Sequence, residues 1–238
     1  MVYVLTYDFP HKKTQDLLFK LKLKDYNVTV IGTPWVERKN FTPLIPHRFF
    51  KADNIYPSDL CDKLGFEYRK IKSLEELEVN DYILIGGAGI IPKKLTDSKK
   101  IINSHPAYIA YMRGLDSLKW AIFKGQPIGV TTHIISEETD TGWLIKKQLL
   151  PLHSWDTFHS VAYRQYEMEI NMLADSIEDI KTANLEPLSK SYCEPQRRMP
   201  HRHEMKLIGR FNKMIDNYSS THKQLVEVKL SLIRHKFE

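Results

Sequence analysis

The chain has 238 residues and a mass of 27.9 kDa, with 42% hydrophobic and 27% charged residues. A chain of this length and composition buries a core without disulfides, which excludes a disordered protein, a collagen-like repeat and a small disulfide-stapled scaffold. The net charge of +6 suits nucleic acid, a phosphorylated metabolite or an anionic cofactor, and is equally compatible with solubility alone.

The N-terminal part of the chain predicts a strand, a helix and a second strand. Residues 2–7 form a short apolar run typical of a buried strand, residues 14–24 carry leucines on one helical stripe, and residues 27–31 form another apolar run. This order favours a right-handed parallel unit of an α/β fold. Three elements are predicted next: an aromatic, proline-containing loop over 33–57, a helix over 58–64 with Ser58 as its N-cap, and a strand over 81–85.

The rest of the chain predicts further strands and helices and then a tail. The predicted elements are a strand over 99–104, a helix over 115–124 closed by Gly125, strands over 128–135 and 143–150, and an amphipathic helix over 155–180. The tail predicts a helix near 204–215 and a strand in the alternating run Val226, Val228, Leu230 and Leu232. We therefore predict a catalytic-size domain over 1–186, an extension over 187–238, and a homodimer through the apolar helix and the tail.

Cysteine content and apolar stretches bear on the compartment. Two cysteines, Cys61 and Cys193, are too few for a disulfide framework and indicate a reducing environment. The longest apolar stretch, residues 82–92, is too short to span a bilayer, and the N-terminus lacks the basic front and cleavage site of a signal peptide. We expect a cytoplasmic protein without membrane contact.

A glycine-rich turn, Gly86-Gly87-Ala88-Gly89, follows the strand predicted over 81–85. It is not a complete GxGxxG, no acidic residue follows at the spacing of the dinucleotide fingerprint, and the sequence contains no GxxxxGK(S/T). The turn therefore favours a place where backbone closely approaches a flat ligand or another strand.

The sharpest local signal is Asn103-Ser104-His105-Pro106 at the end of a predicted strand. Asn103 and His105 stand two positions apart and so point to the same face, and Pro106 ends the strand because it cannot donate to a ladder. Ligands bind at the carboxyl ends of strands in open α/β sheets. An amide N–H and an imidazole N–H aimed at one point form an oxyanion site for acyl transfer, and histidine can also pass a proton.

A third group is needed to fix the tautomer of the imidazole or to accept a proton, and Asp140 is the candidate. It lies in the polar turn between two predicted strands, 140 − 105 = 35 positions after His105. Two other interpretations stay open at this point. Asn-x-His-Pro is also compatible with a plain strand end, and Asp-Thr-Gly with an ordinary turn whose aspartate bonds its own backbone.

Three other patterns carry less information. His201-Arg202-His203-Glu204 offers ligands two positions apart, but no His or Cys cluster with metal spacing accompanies it, so a basic helix start is favoured and no metal site is predicted. Arg197-Arg198 fits either a phosphate contact or a solvated surface pair. Trp143 either stacks on a flat ligand or packs in the core.

Residues 103–145 resemble the formyltransferase-fold enzymes that use N10-formyltetrahydrofolate. The motifs of that family occur here in order and with suitable spacing: Asn103-Ser104-His105-Pro106, Arg113-Gly114, Gly129-Val130-Thr131-Thr132-His133 and Asp140-Thr141-Gly142. The resemblance implies an α/β, Rossmann-like formyltransferase fold with a mostly parallel central sheet and a small C-terminal extension.

The same resemblance implies the site residues. Asn103, His105 and Asp140 become a catalytic trio, in which Asn103 and His105 stabilise the oxyanion and Asp140 orients His105 and assists proton transfer. No metal is needed. The residues implied to wall the pterin pocket for N10-formyltetrahydrofolate are Gly87, Ala88, Gly89, Ile90, Ile91, Ile135, Ser136, Glu137 and Thr139. Substrate contacts are expected at Tyr7, Asp8, Lys12, Arg113 and Trp143.

Departures from the family pattern narrow the expected substrate. Residues 107–111 replace the usual run after Asn-x-His-Pro, and no glycine-rich phosphate loop follows the first strand, which speaks against glycinamide ribonucleotide. The tail is short for the basic barrel of the methionyl-tRNA enzymes. The branch implied is the one that formylates amino sugars carried on nucleotides.

We therefore expect a small-molecule sugar nucleotide and folate as partners, and not nucleic acid. The expected acceptor is a dTDP-linked 4-amino-4,6-dideoxyhexose made for a surface polysaccharide. Two other classes stay open: formyl transfer to another amine, such as glycinamide ribonucleotide or methionyl-tRNA, and a non-catalytic binding module that keeps the fold.

Overall fold

The structure, a computed structural model, describes residues 1–35, 41–48, 51–78, 80–98, 100–188 and 194–217. Its strands are β1 (Val2–Tyr7), β2 (Val28–Thr33), β3 (Glu67–Lys70), β4 (Ile83–Ile85), β5 (Ile101–His105), β6 (Gly129–Ile135), β7 (Gly142–Leu149) and β8 (Glu186–Pro187). Its helices are α1 (Lys12–Leu23), α2 (Pro57–Leu64), α3 (Lys93–Thr96), α4 (Ser117–Lys124), α5 (Phe158–Thr182) and α6 (His201–Glu204), and residues 207–217 are also helical. None of the helices in these ranges combines the length and apolarity that crossing a bilayer requires.

The described strands form one eight-stranded sheet in the order β3-β2-β1-β4-β5-β6-β7-β8. β1 pairs in parallel with β2 and β4, β2 with β3, and β4 with β5. The pairs β5–β6, β6–β7 and β7–β8 are antiparallel. This arrangement confirms the α/β class and the mostly parallel central sheet that the sequence predicts.

β1 lies inside the parallel part of the sheet because its side chains are apolar on both faces. Val4 and Leu5 are both 0% exposed and belong to different apolar clusters. Val4 shares its cluster with Leu17 of α1 and Leu173 of α5, whereas Leu5 packs with Ile31 and its neighbours. A strand covered on both faces has a continuous apolar run, and that run is the pattern by which the sequence predicts it.

Two helices begin where their capping groups dictate, which corrects the predicted starts. α2 begins at Pro57 with Tyr56 as its N-cap, since proline suits the first position of a helix, and the prediction of Ser58 as the cap is wrong. α5 begins later than the sequence predicts because Thr157 and Ser160 form a capping box that fixes its first turn.

The segment after β8 packs against the rest of the molecule. Its apolar side chains share one cluster with residues of α4 and α5: Met199, Leu207, Phe211 and Ile215. The helix predicted near 204–215 is confirmed as α6 and the helical residues 207–217. The alternating run over 226–232 and Cys193 lie outside the described residues, and the domain boundary at 187 stays a prediction.

Candidate active site

A cleft of about 930 Å³ lies at the carboxyl ends of β1, β4 and β5, the edge at which open α/β sheets bind ligands. The cleft is formed by strand ends, by the glycine turn after β4, by the turn between β6 and β7 and by the C-terminal segment. The lining consists of Tyr7, His11, Lys13, Trp35, residues 85–91, Thr96, Asn103, His105, Gly114, Leu115, residues 135–140 and residues 195–197.

β5 places two of the predicted catalytic side chains at this cleft. Asn103 and His105 both line it, two positions apart on the strand. The third predicted residue, Asp140, comes from the turn between β6 and β7, and its Oδ1 lies 3.3 Å from Nδ1 of His105. The structure therefore brings the predicted trio together at one wall of the cleft.

Asp140 is held by its own backbone conformation and by a peptide N–H from another loop. Its φ of 52° lies in the left-handed region, which aspartate tolerates better than most residues. Its Oδ2 accepts a hydrogen bond of 2.7 Å from the N–H of Gly114. Because one oxygen faces His105 and the other a backbone amide, the carboxylate has a fixed orientation.

Ser117, which the sequence analysis misses, contacts the other nitrogen of the imidazole. Its Oγ lies 3.2 Å from Nε2 of His105 and donates a hydrogen bond of 2.6 Å to the carbonyl oxygen of Gly114. Both ring nitrogens of His105 are therefore flanked, one by Asp140 and one by Ser117. No sequence signal identifies Ser117, because its position depends on the loop between β5 and α4.

His133 is a buried histidine beside the trio. Its Nδ1 donates a hydrogen bond of 3.0 Å to the carbonyl oxygen of Thr141, the residue after Asp140. Burial lowers the pKa of His133 to about 4, so the imidazole is neutral near pH 7. Its Nε2 has no hydrogen-bond partner within the described residues. The neutral ring thereby ties β6 to the turn that carries Asp140.

All the residues predicted to wall a pterin pocket line this cleft, on the turn after β4 and the turn after β6. In the first turn a Cβ added to Gly87 would lie 2.9 Å from the ring of His11 and 3.0 Å from that of Tyr7, so a larger residue would force a ring to move. Ile91 and Ile135 add apolar side chains to the same lining. Backbone and two isoleucines form a surface that suits a flat heterocycle.

Of the predicted substrate contacts, Tyr7 lines the cleft and Asp8 does not. Oδ1 of Asp8 accepts a hydrogen bond of 2.6 Å from Tyr68, and its Oδ2 lies 2.5 Å from Nζ of Lys70. The hydrogen bond from Lys70, followed by that from Tyr68, lowers the pKa of Asp8. These contacts hold Asp8 against the neighbouring strands.

Lys12, Arg113 and Trp143 also lie outside the lining. Nζ of Lys12 pairs with Asp16 at 2.6 Å, and Trp143 packs against the main apolar cluster. Arg113 is 7% exposed, and its Nε has no hydrogen-bond partner among the residues that the structure describes. A buried guanidinium with an unused donor suits an anion.

Lys13 is a cleft residue that the sequence analysis does not identify. Its Nζ pairs with Glu169 at 2.7 Å and donates to the carbonyl oxygen of Ser104 in β5 at 3.2 Å. Burial acts to raise the pKa of Glu169, but the charges of Arg48 and Lys13 outweigh it and lower that pKa. The available signal is a carboxylate inside the apolar stripe of the long helix.

Comparison with known proteins places this geometry in context. Residues 14–177 match the family described as formyl transferase. A dTDP-4-amino-4,6-dideoxyglucose formyltransferase of Mycobacterium tuberculosis is 31% identical over 90 residues, which is 38% of each protein. A methionyl-tRNA formyltransferase of Nostoc sp. is 22% identical over 130 residues, 53% of this chain and 38% of the relative. The matched stretches thus span well under half of each curated relative.

A solved structure extends the likeness to most of the fold. The N-formyltransferase from Helicobacter canadensis, in complex with folinic acid and dTDP-3-aminofucose, superposes with a TM-score of 0.60 at 15% identity. The superposition covers 89% of this chain and 81% of that one. It confirms the Rossmann-like formyltransferase fold that the motifs imply.

Proposed function

The chain belongs to the formyl transferase family, and from that premise we propose that it is an N-formyltransferase. It transfers a formyl group from N10-formyltetrahydrofolate to the amine of a nucleotide-linked amino sugar. The observation that carries the proposal is the meeting of Asn103, His105 and Asp140 at one wall of the 930 Å³ cleft. These three side chains supply an amide donor, an imidazole and a carboxylate where acyl transfer needs them.

The donor is N10-formyltetrahydrofolate, which supplies the formyl group. Its flat headgroup fits the part of the cleft formed by the backbone of residues 87–91 and by residues 135–139. Ile90, which is 96% exposed at this edge, offers a further apolar contact. The folinic acid in the structure from Helicobacter canadensis supports a folate as a ligand of this fold.

Asn103 and His105 act on the formyl oxygen in the proposed reaction. Negative charge develops on that oxygen as the neutral amine attacks the formyl carbon, and the N–H groups of Asn103 and His105 donate to it. Both donors extend from β5, two positions apart on the strand. Donors of this kind lower the barrier because they act where charge appears only in the transition state.

The pair His105–Asp140 moves the proton. The attacking amine loses a proton when the new C–N bond is complete, and the leaving group gains one. Asp140 stabilises His105 in the orientation that this transfer requires and is itself held by the N–H of Gly114. Proton loss from the amine and protonation of the leaving group balance, so the site returns to its starting state.

The acceptor is proposed to be dTDP-linked, with a 4-amino-4,6-dideoxyhexose as the sugar, made for a surface polysaccharide. The Mycobacterium tuberculosis relative carries such a sugar nucleotide in its name, and the Helicobacter canadensis structure contains a dTDP-amino sugar. Arg197 lines the cleft as an exposed cation, and Arg113 lies buried in the adjoining loop. Both cations suit the negative charge of a nucleoside diphosphate.

An amine panel tests the proposal. Purified chain is mixed with N10-formyltetrahydrofolate and, in turn, dTDP-amino sugars, UDP-amino sugars, glycinamide ribonucleotide and methionyl-tRNA, and tetrahydrofolate release is followed. We expect turnover with a dTDP-amino sugar. Turnover of glycinamide ribonucleotide or methionyl-tRNA without any amino sugar would assign the chain to another amine, an outcome that the similarity to methionyl-tRNA formyltransferase keeps open. No turnover with any of these acceptors would leave only a binding module.

The oligomeric state and the cellular location of the protein are proposed from its sequence. We propose a cytoplasmic homodimer in which residues 187–238 act as an extension of a catalytic domain over 1–186. Light scattering at micromolar concentration tests the dimer, and a monomeric mass would contradict it. A second protomer is not required by the trio, which comes from one chain.

A further inference from the structure

Three hydrogen bonds and one contact between an imidazole and a carboxylate link His105, Asp140, Gly114 and Ser117 into a closed circuit, called here the catalytic ring. Nδ1 of His105 faces Oδ1 of Asp140 at 3.3 Å, and Oδ2 accepts the N–H of Gly114 at 2.7 Å. The carbonyl oxygen of Gly114 accepts the hydroxyl of Ser117 at 2.6 Å, and Oγ of Ser117 lies 3.2 Å from Nε2 of His105. Both partners of the imidazole are therefore bonded to the same residue.

A count of hydrogens fixes the direction of these bonds. A serine hydroxyl carries one hydrogen, and a carbonyl oxygen can only accept. The hydroxyl of Ser117 donates its one hydrogen to the carbonyl oxygen of Gly114. Its oxygen therefore accepts in the contact with Nε2 of His105. Nε2 of His105 therefore carries the hydrogen of this contact, while Nδ1 faces the carboxylate of Asp140.

We propose that Ser117 is a positioning residue that fixes the ring plane of His105 and keeps a hydrogen on its Nε2. The inference rests on the proposed function in one respect. The N–H at Nε2 of His105 is the group that donates a hydrogen bond to the developing oxyanion. An anionic oxygen is a stronger acceptor than a hydroxyl at 3.2 Å, so the bond is released when charge appears and not before.

The C-terminal segment braces this arrangement from outside. Gln196 pairs with the Gly114 loop: its N–H donates to the carbonyl oxygen of Arg113 at 2.9 Å, and its own carbonyl oxygen accepts the N–H of Leu115 at 2.8 Å. Gly114 has a φ of 85°, and a Cβ there would lie 2.4 Å from the carbonyl oxygen of Gln196. These contacts hold in place the N–H and the carbonyl oxygen of Gly114, the two groups through which it takes part in the catalytic ring.

A purely structural role for Ser117 has a matched control in the same molecule. Ser176 in α5 is 0% exposed and donates an equivalent hydrogen bond of 2.7 Å to the carbonyl oxygen of Leu173, three residues earlier. Ser176 is not among the residues that line the cleft, and its hydroxyl bonds to Leu173 and not to His105. Replacement of either serine by alanine removes a hydrogen bond to a carbonyl oxygen three residues earlier. Only Ser117→Ala also removes a contact with His105.

The test compares Ser117→Ala, Ser117→Thr and Ser176→Ala in the full chain. The side-chain ¹⁵N resonances of His105, assigned by their loss in His105→Gln, report which ring nitrogens carry hydrogen. Formyl transfer to the best acceptor of the amine panel gives kcat and both KM values. We expect a protonated Nε2 in the wild type and in Ser117→Thr, and a changed Nε2 signal in Ser117→Ala. We expect kcat to fall about tenfold in Ser117→Ala with both KM values kept, and to stay within about threefold in Ser117→Thr and Ser176→Ala.

The outcomes separate this inference from the proposed function. An Nε2 without hydrogen in the wild type overturns the inference, and so does a Ser117→Ala protein with wild-type kcat and spectrum. An equal fall of kcat in Ser117→Ala and Ser176→Ala also overturns it, because the effect is then structural. If the wild type formylates no acceptor, the proposed function fails, and the ¹⁵N spectra of the wild type and Ser117→Thr still decide the hydrogen on Nε2.

Discussion

Helix α4 carries two buried polar contacts that differ in kind. At its first residue Ser117 joins the catalytic ring, whose His105 and Asp140 side chains are 11% and 12% exposed and lie 3.3 Å apart. Two residues later Lys119 pairs with Glu204 of α6, and both side chains are 0% exposed. Glu204 also accepts the N–H of Leu44 through its other oxygen, at 2.9 Å.

The difference between the catalytic ring and the buried pair of Lys119 and Glu204 agrees with the roles proposed for them. The buried pair matches charge with charge, shuts out water and joins α4, α6 and the loop over 41–48. The catalytic ring keeps a longer contact and one face toward the cleft, so a substrate atom can enter it. Polar groups that hold a fold are satisfied internally, whereas those that do chemistry leave a position for a ligand.

The largest expected effect on stability comes from breaking the buried pair. Lys119→Met leaves the carboxylate of Glu204 buried without its counter-ion, and this should cost about 3–5 kcal/mol of unfolding free energy. Denaturant unfolding measures the loss. The double variant Lys119→Met, Glu204→Gln should recover part of it, and kcat per folded molecule should stay near that of the wild type. A loss below about 1 kcal/mol would show that the pair contributes like a surface pair.

Removal of a proposed oxyanion donor should have the opposite effect, a large loss of rate with little loss of stability. Asn103→Ala or His105→Ala should lower kcat on the order of a hundredfold, or about 2.7 kcal/mol in the barrier, while the midpoint of thermal unfolding changes little. Steady-state kinetics and thermal unfolding on the same samples check both statements. Near-normal rates in both variants would remove the oxyanion argument, even if the fold is intact.

The buried histidine next to the catalytic ring, His133, should make the free energy of unfolding depend on pH. Burial depresses the pKa of His133 from 6.5 to about 4, so the unfolded chain binds a proton first as the pH falls. The stabilising contribution is present above pH 6.5 and is lost toward pH 4. The free energy of unfolding should drop by about 2 kcal/mol from this group between about pH 7 and pH 5. Burial lowers the pKa of His47 as well, so His133→Gln should reduce the slope without abolishing it. An unchanged slope would contradict this assignment.

The smallest expected effect comes from a solvent-exposed ion pair. Nζ of Lys146 lies 3.0 Å from both carboxylate oxygens of Asp179, with side chains 43% and 26% exposed. Lys146→Ala should change the free energy of unfolding by less than about 1 kcal/mol, because solvent and salt screen such a pair. Chemical denaturation of Lys146→Ala and Lys119→Met under the same conditions compares their free energies of unfolding. A loss as large as that of Lys119→Met would contradict the contrast between exposed and buried pairs.

Much of the candidate site could be predicted from the sequence. A strand that ends in Asn-x-His-Pro places Asn103 and His105 on one face, because side chains alternate along a strand. The polar turn before Gly142 makes Asp140 the candidate third group from local reasoning, and the family resemblance implies the same residue. The glycine turn at 86–89 also lies against the cleft as close-approach backbone.

Other parts required the structure. β3 has no apolar run: three of its four residues, Glu67, Arg69 and Lys70, are exposed, so an edge strand of this kind has no hydrophobic period. Ser117 and Gln196 act through loops whose path no local pattern encodes. Contacts between residues far apart in the chain, such as Lys119 with Glu204, depend on how elements pack and not on spacing along the chain.

The most direct test of the central claim follows the formyl group itself. The wild type and Asp140→Asn are mixed, in a single turnover, with ¹³C-formyl donor and a dTDP-amino sugar, and the new formamide carbon is detected by NMR. The substituted amide keeps the size of the side chain and an acceptor for the N–H of Gly114, but removes the charge that faces His105. We predict labelled formamide from the wild type, and a rate lower by about a hundredfold in Asp140→Asn. Equal rates in the two proteins, or no labelled amide from the wild type with any amino sugar, would contradict the account.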